Sequence, residues 1–210
     1  MKKKPKQAAR KPDELPVYRL LRAAFESPDS MPPLLRQSPE LLEARTGLGE
    51  TALHYLAVEN QLHAVSLLVE AGAQVNTLSS CSGTPLSEAA SLGYVELVDY
   101  LLSQGARLHI DGQRDPALHG AVRGGNAAMV QLLLAAGAPI DEQNDLRETP
   151  LHLAAQDDGR LAVLELLLQA GANPALKRIF DETPLDVALN SGSKACASAL
   201  LAAGAPKQSQ

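Results

Sequence analysis

Thr149-Pro150-Leu151-His152 opens a stretch that closes on Gly171-Ala172, and the same pattern recurs along the chain. Toward the N-terminus it reads Pro116-Ala117-Leu118-His119, Thr84-Pro85-Leu86-Ser87 and Thr51-Ala52-Leu53-His54; toward the C-terminus, Thr183-Pro184-Leu185-Asp186. The five starts are separated by 33, 32, 33 and 34 residues. The closing pairs are Gly72-Ala73, Gly105-Ala106, Gly137-Ala138, Gly171-Ala172 and Gly204-Ala205, 21 residues after the opening residue four times and 22 once. A fixed period of this length marks stacked units that share their cores with neighbours.

Each residue type has a physical task. Thr at a helix N-cap accepts a bond from an orphan backbone amide, and Pro follows where its missing N–H costs nothing. Asn60, Gly93, Gly125, Gly159 and Gly192 are expected to end the short first helices in the left-handed conformation. Paired apolar residues, such as Val65, Leu67, Leu68 or Val130, Leu133, Leu134, predict a second helix. The glycine of Gly-Ala stops it, and a polar turn leads to the next unit. Thr51, His54, Thr84, Pro85, His119, Thr149, Pro150, His152, Thr183 and Pro184 are therefore read as scaffold.

This unit resembles the ankyrin repeat, with its Thr-Pro-Leu-His-x-Ala signature. The resemblance implies an all-α solenoid of stacked helix-turn-helix units joined by β-turn-like fingers. It covers residues 46–210 and reaches back in degenerate form to about Leu15. The expected organisation is a disordered basic tail at 1–13, a degenerate N-terminal capping repeat at 14–45, and repeats at 46–78, 79–110, 111–143 and 144–177. A C-terminal capping repeat at 178–206 and a tail at 207–210 complete it. In the last unit Ser193, Lys194, Cys196, Ala197 and Ser198 replace bulkier residues and are expected to form a modified outer face. Two departures stand out. The link from Gly105 to Pro116 is one residue short, leaving Asp115 as a substitute cap, and Gln156-Asp157-Asp158-Gly159 holds one residue extra.

Composition narrows the function. Apolar residues make up 45% and charged residues 20%, which excludes a disordered polyelectrolyte. The longest charge-free runs, 71–87 and 124–140, are 17 residues and interrupted, short of the roughly 20 a membrane span needs. The first twelve residues carry six cations and no acid, leaving 13 basic against 24 acidic side chains in the rest. An acidic body repels phosphate backbones, so the folded part is expected not to bind nucleic acid and to favour a basic protein surface. Lys2-Lys3-Lys4-Pro5-Lys6 reads either as a solubilising disordered tail or as a nuclear import signal or nucleic-acid-binding arm. Two cysteines and no apolar run before Asp13 suggest a cytoplasmic, reducing location.

No chemistry assembles from the sequence. His54, His119 and His152 form a column along the stack. At a layer spacing of roughly 8–10 Å they cannot share an ion with ~2 Å bonds. The resemblance implies that they bridge neighbouring repeats by hydrogen bonds. Cys81, in a turn tip, and Cys196, in the final helix, are on the order of 30 Å apart by the same spacing and cannot pair. No nucleophile, base and orienting group converge, so the expectation is a non-enzyme without cofactor or metal.

A partner is expected on the concave flank. Its tip residues are Leu48 and Glu50, Cys81, Gln113 and Asp115, Leu146 and Glu148, then Ile179, Phe180 and Glu182. First-helix residues Val58, Glu59, Leu92, Arg123 and Asp157 adjoin them. Apolar tips framed by acids predict an apolar stripe inside an acidic rim. The expected function is a monomeric adaptor, inhibitor or scaffold that binds a protein along this groove. The alternative is a bacterial toxin-neutralising or host-directed protein that masks a basic enzyme.

Overall fold

The computed structural model describes residues 15–206. The basic run at 2–11 and the tails expected at 1–13 and 207–210 lie outside the described residues. Twelve α-helices follow in pairs: α1 Pro16–Glu26 with α2 Met31–Gln37, α3 Ala52–Val58 with α4 Leu62–Glu70, and α5 Pro85–Leu92 with α6 Val95–Ser103. Then come α7 Ala117–Arg123 with α8 Ala127–Ala135, α9 Pro150–Ala154 with α10 Leu161–Gln169, and α11 Pro184–Ser191 with α12 Lys194–Ala202. Each first helix packs on the first helix of the next unit, in the order α1, α3, α5, α7, α9, α11. The molecule is an all-helical solenoid.

The second helices bury one repeated column: Ala64, Val65, Leu68; Leu97, Val98, Leu101; Met129, Val130, Leu133; Val163, Leu164, Leu167. Cys196, Ala197 and Leu200 occupy that same inward column. This corrects the expectation that Cys196 and Ala197 belong to a modified outer face. Helical spacing turns them toward α11 and α10, while Lys194, Ser198, Leu189 and Leu201 remain exposed. At the other end α1 buries Val17, Leu20, Leu21 and Ala24, and α2 buries Met31 and Leu35, so residues before Thr51 join the shared core. First helices use small residues for close approach. A Cβ on Gly124 would lie 2.6 Å from the Ser91 carbonyl oxygen of α5.

The opening signature is a reciprocal box. The Thr N–H donates to the side chain three residues on: His54 Nδ1 at 3.2 Å, Ser87 Oγ at 2.9 Å, His152 Nδ1 at 3.2 Å and Asp186 Oδ2 at 2.8 Å. In return Thr84, Thr149 and Thr183 Oγ1 accept the N–H of Ser87, His152 and Asp186. Ser and Asp thus keep the local half of the histidine's task. The longer imidazole adds a second bond: Nε2 of His54 meets the Thr77 and Gly83 carbonyls at 3.1 and 3.3 Å. His119 meets Glu148 O at 2.9 Å and His152 meets Glu182 O at 3.1 Å, so each ring ties its unit to the next tip.

The third unit breaks the box. Pro116 is itself the N-cap residue and has neither N–H nor hydroxyl, so the buried His119 Nδ1 has no hydrogen-bond partner among the described residues. Asp115 does not cap α7, contrary to expectation, because Arg123 and Asn144 claim both of its oxygens. Replacing Pro116 by Thr should restore the cap and give Nδ1 two donors. Chemical denaturation is expected to show a gain of about 1 kcal/mol; no gain would mean that the proline's rigidity offsets the missing bonds. A second correction concerns helix ends: Asn60, Gly93, Gly125 and Gly192 have positive φ, whereas Gly159 does not. The extra residue of the fourth unit is absorbed in a 3-10 turn, Asp158–Arg160, that leads directly into α10.

Candidate functional site

The turn before each first helix is a tight finger. Thr46 N–H donates to Glu50 O at 2.8 Å, and Ser79, Asn144 and Arg178 bond in the same way to Gly83, Glu148 and Glu182. Two residues before the opening Thr the backbone is left-handed, at Gly49, Ser82, Arg147 and Asp181. That conformation drives the preceding side chain outward. Leu48 is 62% exposed, Leu146 51% and Phe180 73%, with Ile179 at 45% beside it. Cys81, at the matching position, is exposed as well.

Neighbouring fingers are stitched by one backbone bond each: Ser80 N–H to Leu48 O at 3.1 Å, Arg114 N–H to Ser82 O at 3.2 Å, and Ile179 N–H to Leu146 O at 3.2 Å. Between the third and fourth fingers Asn144 Nδ2 donates instead to Asp115 Oδ1 at 3.1 Å. The short link explains this. Left-handed backbone there falls on Gly112, and Gln113 turns inward, where its side chain bonds Ile110 N–H and the Asp115 carbonyl. Gln113 is therefore buried and not a projecting tip residue. A cavity of about 430 Å³ opens in the gap, lined by Arg114, Asp115, Arg123, Asn144, Asp145, Leu146 and Glu148. A smaller one of about 170 Å³ lies on its other side, between Cys81, Glu88 and Arg123.

Charge on this flank differs from an unbroken acidic rim. Glu148 is only 5% exposed, so it is a buried partner rather than a surface acid. Arg178 NH1 bonds it at 2.8 Å, and the same guanidinium holds Glu182 at 2.6 Å. Burial pushes the Asp115 carboxyl up, but hydrogen bonds from Arg123 and Asn144 outweigh it and hold it below the usual carboxylate range. Three of the six expected acids are thus engaged by arginines, two of them sharing the single charge of Arg178. Glu59 and Asp157 are exposed; Glu50, half-buried, accepts from Thr46 at 3.1 Å. Burial, with Glu50 nearby, raises the carboxyl of Glu88. Val58 is half-buried, while Leu92 and Arg123 are exposed on the first-helix face.

Several contributors escape a one-dimensional reading. Tyr55 makes an edge-on contact with Phe25 of α1, ring centroids 6.2 Å apart. Tyr55 and Glu88 share one position of the signature, where Gly120 leaves an opening; comparing that column across units would have exposed all three. Arg178 stands 30 residues after Glu148, in the next finger, and four residues before Glu182, a clamp that repeat spacing alone does not single out. Among the described residues no three His, Cys, Asp or Glu side chains gather as a metal site, and no helix is long and apolar enough to cross a membrane.

Helix pairs stacked in line, with rigid fingers along one edge, define a repeat protein built to present a surface. Residues 20–112 and 118–210 match the family model for ankyrin repeats, and the chain belongs to the ankyrin-repeat family. Ankyrin repeats are protein–protein interaction modules. Among curated proteins the chain is 34% identical over 125 residues to a transient receptor potential cation channel subfamily A member 1 homolog of Caenorhabditis elegans, covering 60% of this chain and 10% of that one. It is 37% identical over 103 residues to human ankyrin repeat and KH domain-containing protein 1, covering 48% and 4%. It is 36% identical over 101 residues to the E3 ubiquitin-protein ligase XBAT33 of Arabidopsis thaliana, covering 46% and 19%. The chain therefore spans less than a fifth of the length of each of these relatives.

Proposed function

We propose that this chain acts without catalysis, as an adaptor, inhibitor or scaffold that grips a protein partner along its finger row and first-helix face. The observation that carries this is the row of exposed apolar tips, Leu48, Leu146, Ile179 and Phe180, held outward by left-handed turns. Large apolar side chains on rigid, pre-formed fingers suit docking with little rearrangement. The acids left unneutralised, Glu50, Glu59, Glu88 and Asp157, favour basic side chains on the partner. Relatives whose names describe a channel, a KH-domain protein and a ubiquitin ligase share this segment and no single activity, which supports a module rather than an enzyme.

The double variant L146A/F180A tests the reading. Both side chains are exposed, so each change should move stability by no more than about 0.5 kcal/mol. Affinity capture with quantitative mass spectrometry is expected to lose the partners that the unaltered chain retains. Retained partners together with a lowered melting temperature would assign these residues to packing between fingers and overturn the proposal.

A further inference from the structure

The residue added to the fourth unit has a partner in the fifth. Asp158 Oδ1 accepts the backbone N–H of Cys196 at 3.0 Å, and the N–H groups of Lys194 and Ala195 help hold this carboxyl below its usual range. These are the first three residues of α12, whose own N-cap, Ser193, makes no side-chain cap bond. The same loop holds the thiol: Cys196 Sγ lies 3.6 Å from the Asp157 carbonyl oxygen and 3.8 Å from that of Ala154.

Among the described residues α11 and α12 pack on one neighbouring unit only, through α9 and α10, and a unit held on one side opens more readily than one held on both. Helix α12 begins with orphan amides and the positive end of the dipole, and a carboxylate there satisfies both. We propose that the Asp157-Asp158 turn, which carries the one added residue, is a clasp: Asp158 caps α12 from the preceding unit and keeps the fifth repeat closed over Cys196. The fifth finger belongs to that repeat, so the clasp also keeps Phe180 in line with Leu146. Burial and the nearby Asp158 push the Cys196 thiol up to about 11. An uncapped helix N-terminus would instead favour the thiolate.

Thiol labelling of the full chain under native conditions reads the clasp directly. Cys81 is exposed and reacts at once, providing an internal reference, whereas Cys196 is buried and reacts only when the fifth repeat opens. Asp158→Ala is expected to accelerate the slow phase roughly five- to tenfold, while Asp158→Asn, also a good capping residue, stays near the unaltered rate. Hydrogen exchange should show lost protection at Lys194–Cys196 in the Ala variant and unchanged protection in α8, which separates local opening from global loss. An unchanged slow phase in Asp158→Ala, or equal acceleration by Ala and Asn, would overturn the clasp.

Discussion

Replacing Arg178 by Met is expected to lower the free energy of unfolding by about 3–5 kcal/mol. The reason is Glu148, which is buried to 5% exposure at the foot of the fourth finger. Among the described residues Arg178 supplies its only cationic contact, at 2.8 Å, and the same guanidinium bonds Glu182 through Nε at 2.7 Å. Without it Glu148 keeps only the amide groups of Gln156 at 3.3 Å and Asn144 at 3.4 Å. Neutral donors at that length do not offset a buried charge. Removing both partners, in Arg178→Met with Glu148→Met, should recover most of the loss, since a buried ion pair contributes little over apolar packing. Urea titration of the two single variants and the double checks this. A cost below about 1 kcal/mol for Arg178→Met would show that Glu148 reaches water, and the clamp between the fourth and fifth units would lose its importance.

Acidification is expected to unfold the array through its histidine column. Burial pushes His54 down to about 4, against the opposing pull of hydrogen bonds to the Gly83 and Thr77 carbonyls. Burial likewise lowers His119 and His152. In the unfolded chain these rings take up a proton near pH 6.5; in the folded chain they resist it. Stability contributed by neutral imidazole is therefore complete above about pH 6.5 and is lost as pH falls toward the folded value. For His54 alone the loss approaches about 3 kcal/mol at pH 4. Denaturation midpoints measured between pH 7 and 5, above the range where most carboxylates titrate, should decline steadily. His54→Ser is the informative variant, because Ser87 performs the local half of the box in the next unit. It should be less stable at pH 7 by about 1–3 kcal/mol and show a shallower decline. A midpoint that stays flat from pH 7 to 5 in the unaltered chain would rule the column out as the acid-sensitive element.

Both expectations rest on contacts between units, and that separates what was legible in one dimension from what was not. The period, the Thr caps and the second-helix apolar pairs follow from local rules, because a helix cap or a 3.6-residue stripe involves residues a few positions apart; the bridging role of the histidines came with the resemblance to the ankyrin repeat. The outward projection of Leu48, Leu146 and Phe180 was equally readable from their place before the opening Thr. Three expectations failed for a common reason. Glu148 was counted as a surface acid, Asp115 as a cap, and Gln113 as a projecting tip, yet each is redirected by a group about 30 residues away or by a deletion upstream. Position in the repeat says where a side chain starts. It does not say which neighbour competes for it.

A 33-residue rhythm with Thr, Pro and Gly at set places leaves the backbone few alternatives, since each mark acts through bonds made within its own unit. Which charges are free, which are clamped, and which loop caps a helix in the adjoining repeat depend on distances across the stack. Arg178 reaching Glu148 and Asp158 reaching Cys196 are pairings of that kind. They exist because stacking brings separate turns within hydrogen-bond range, a proximity that linear spacing does not encode.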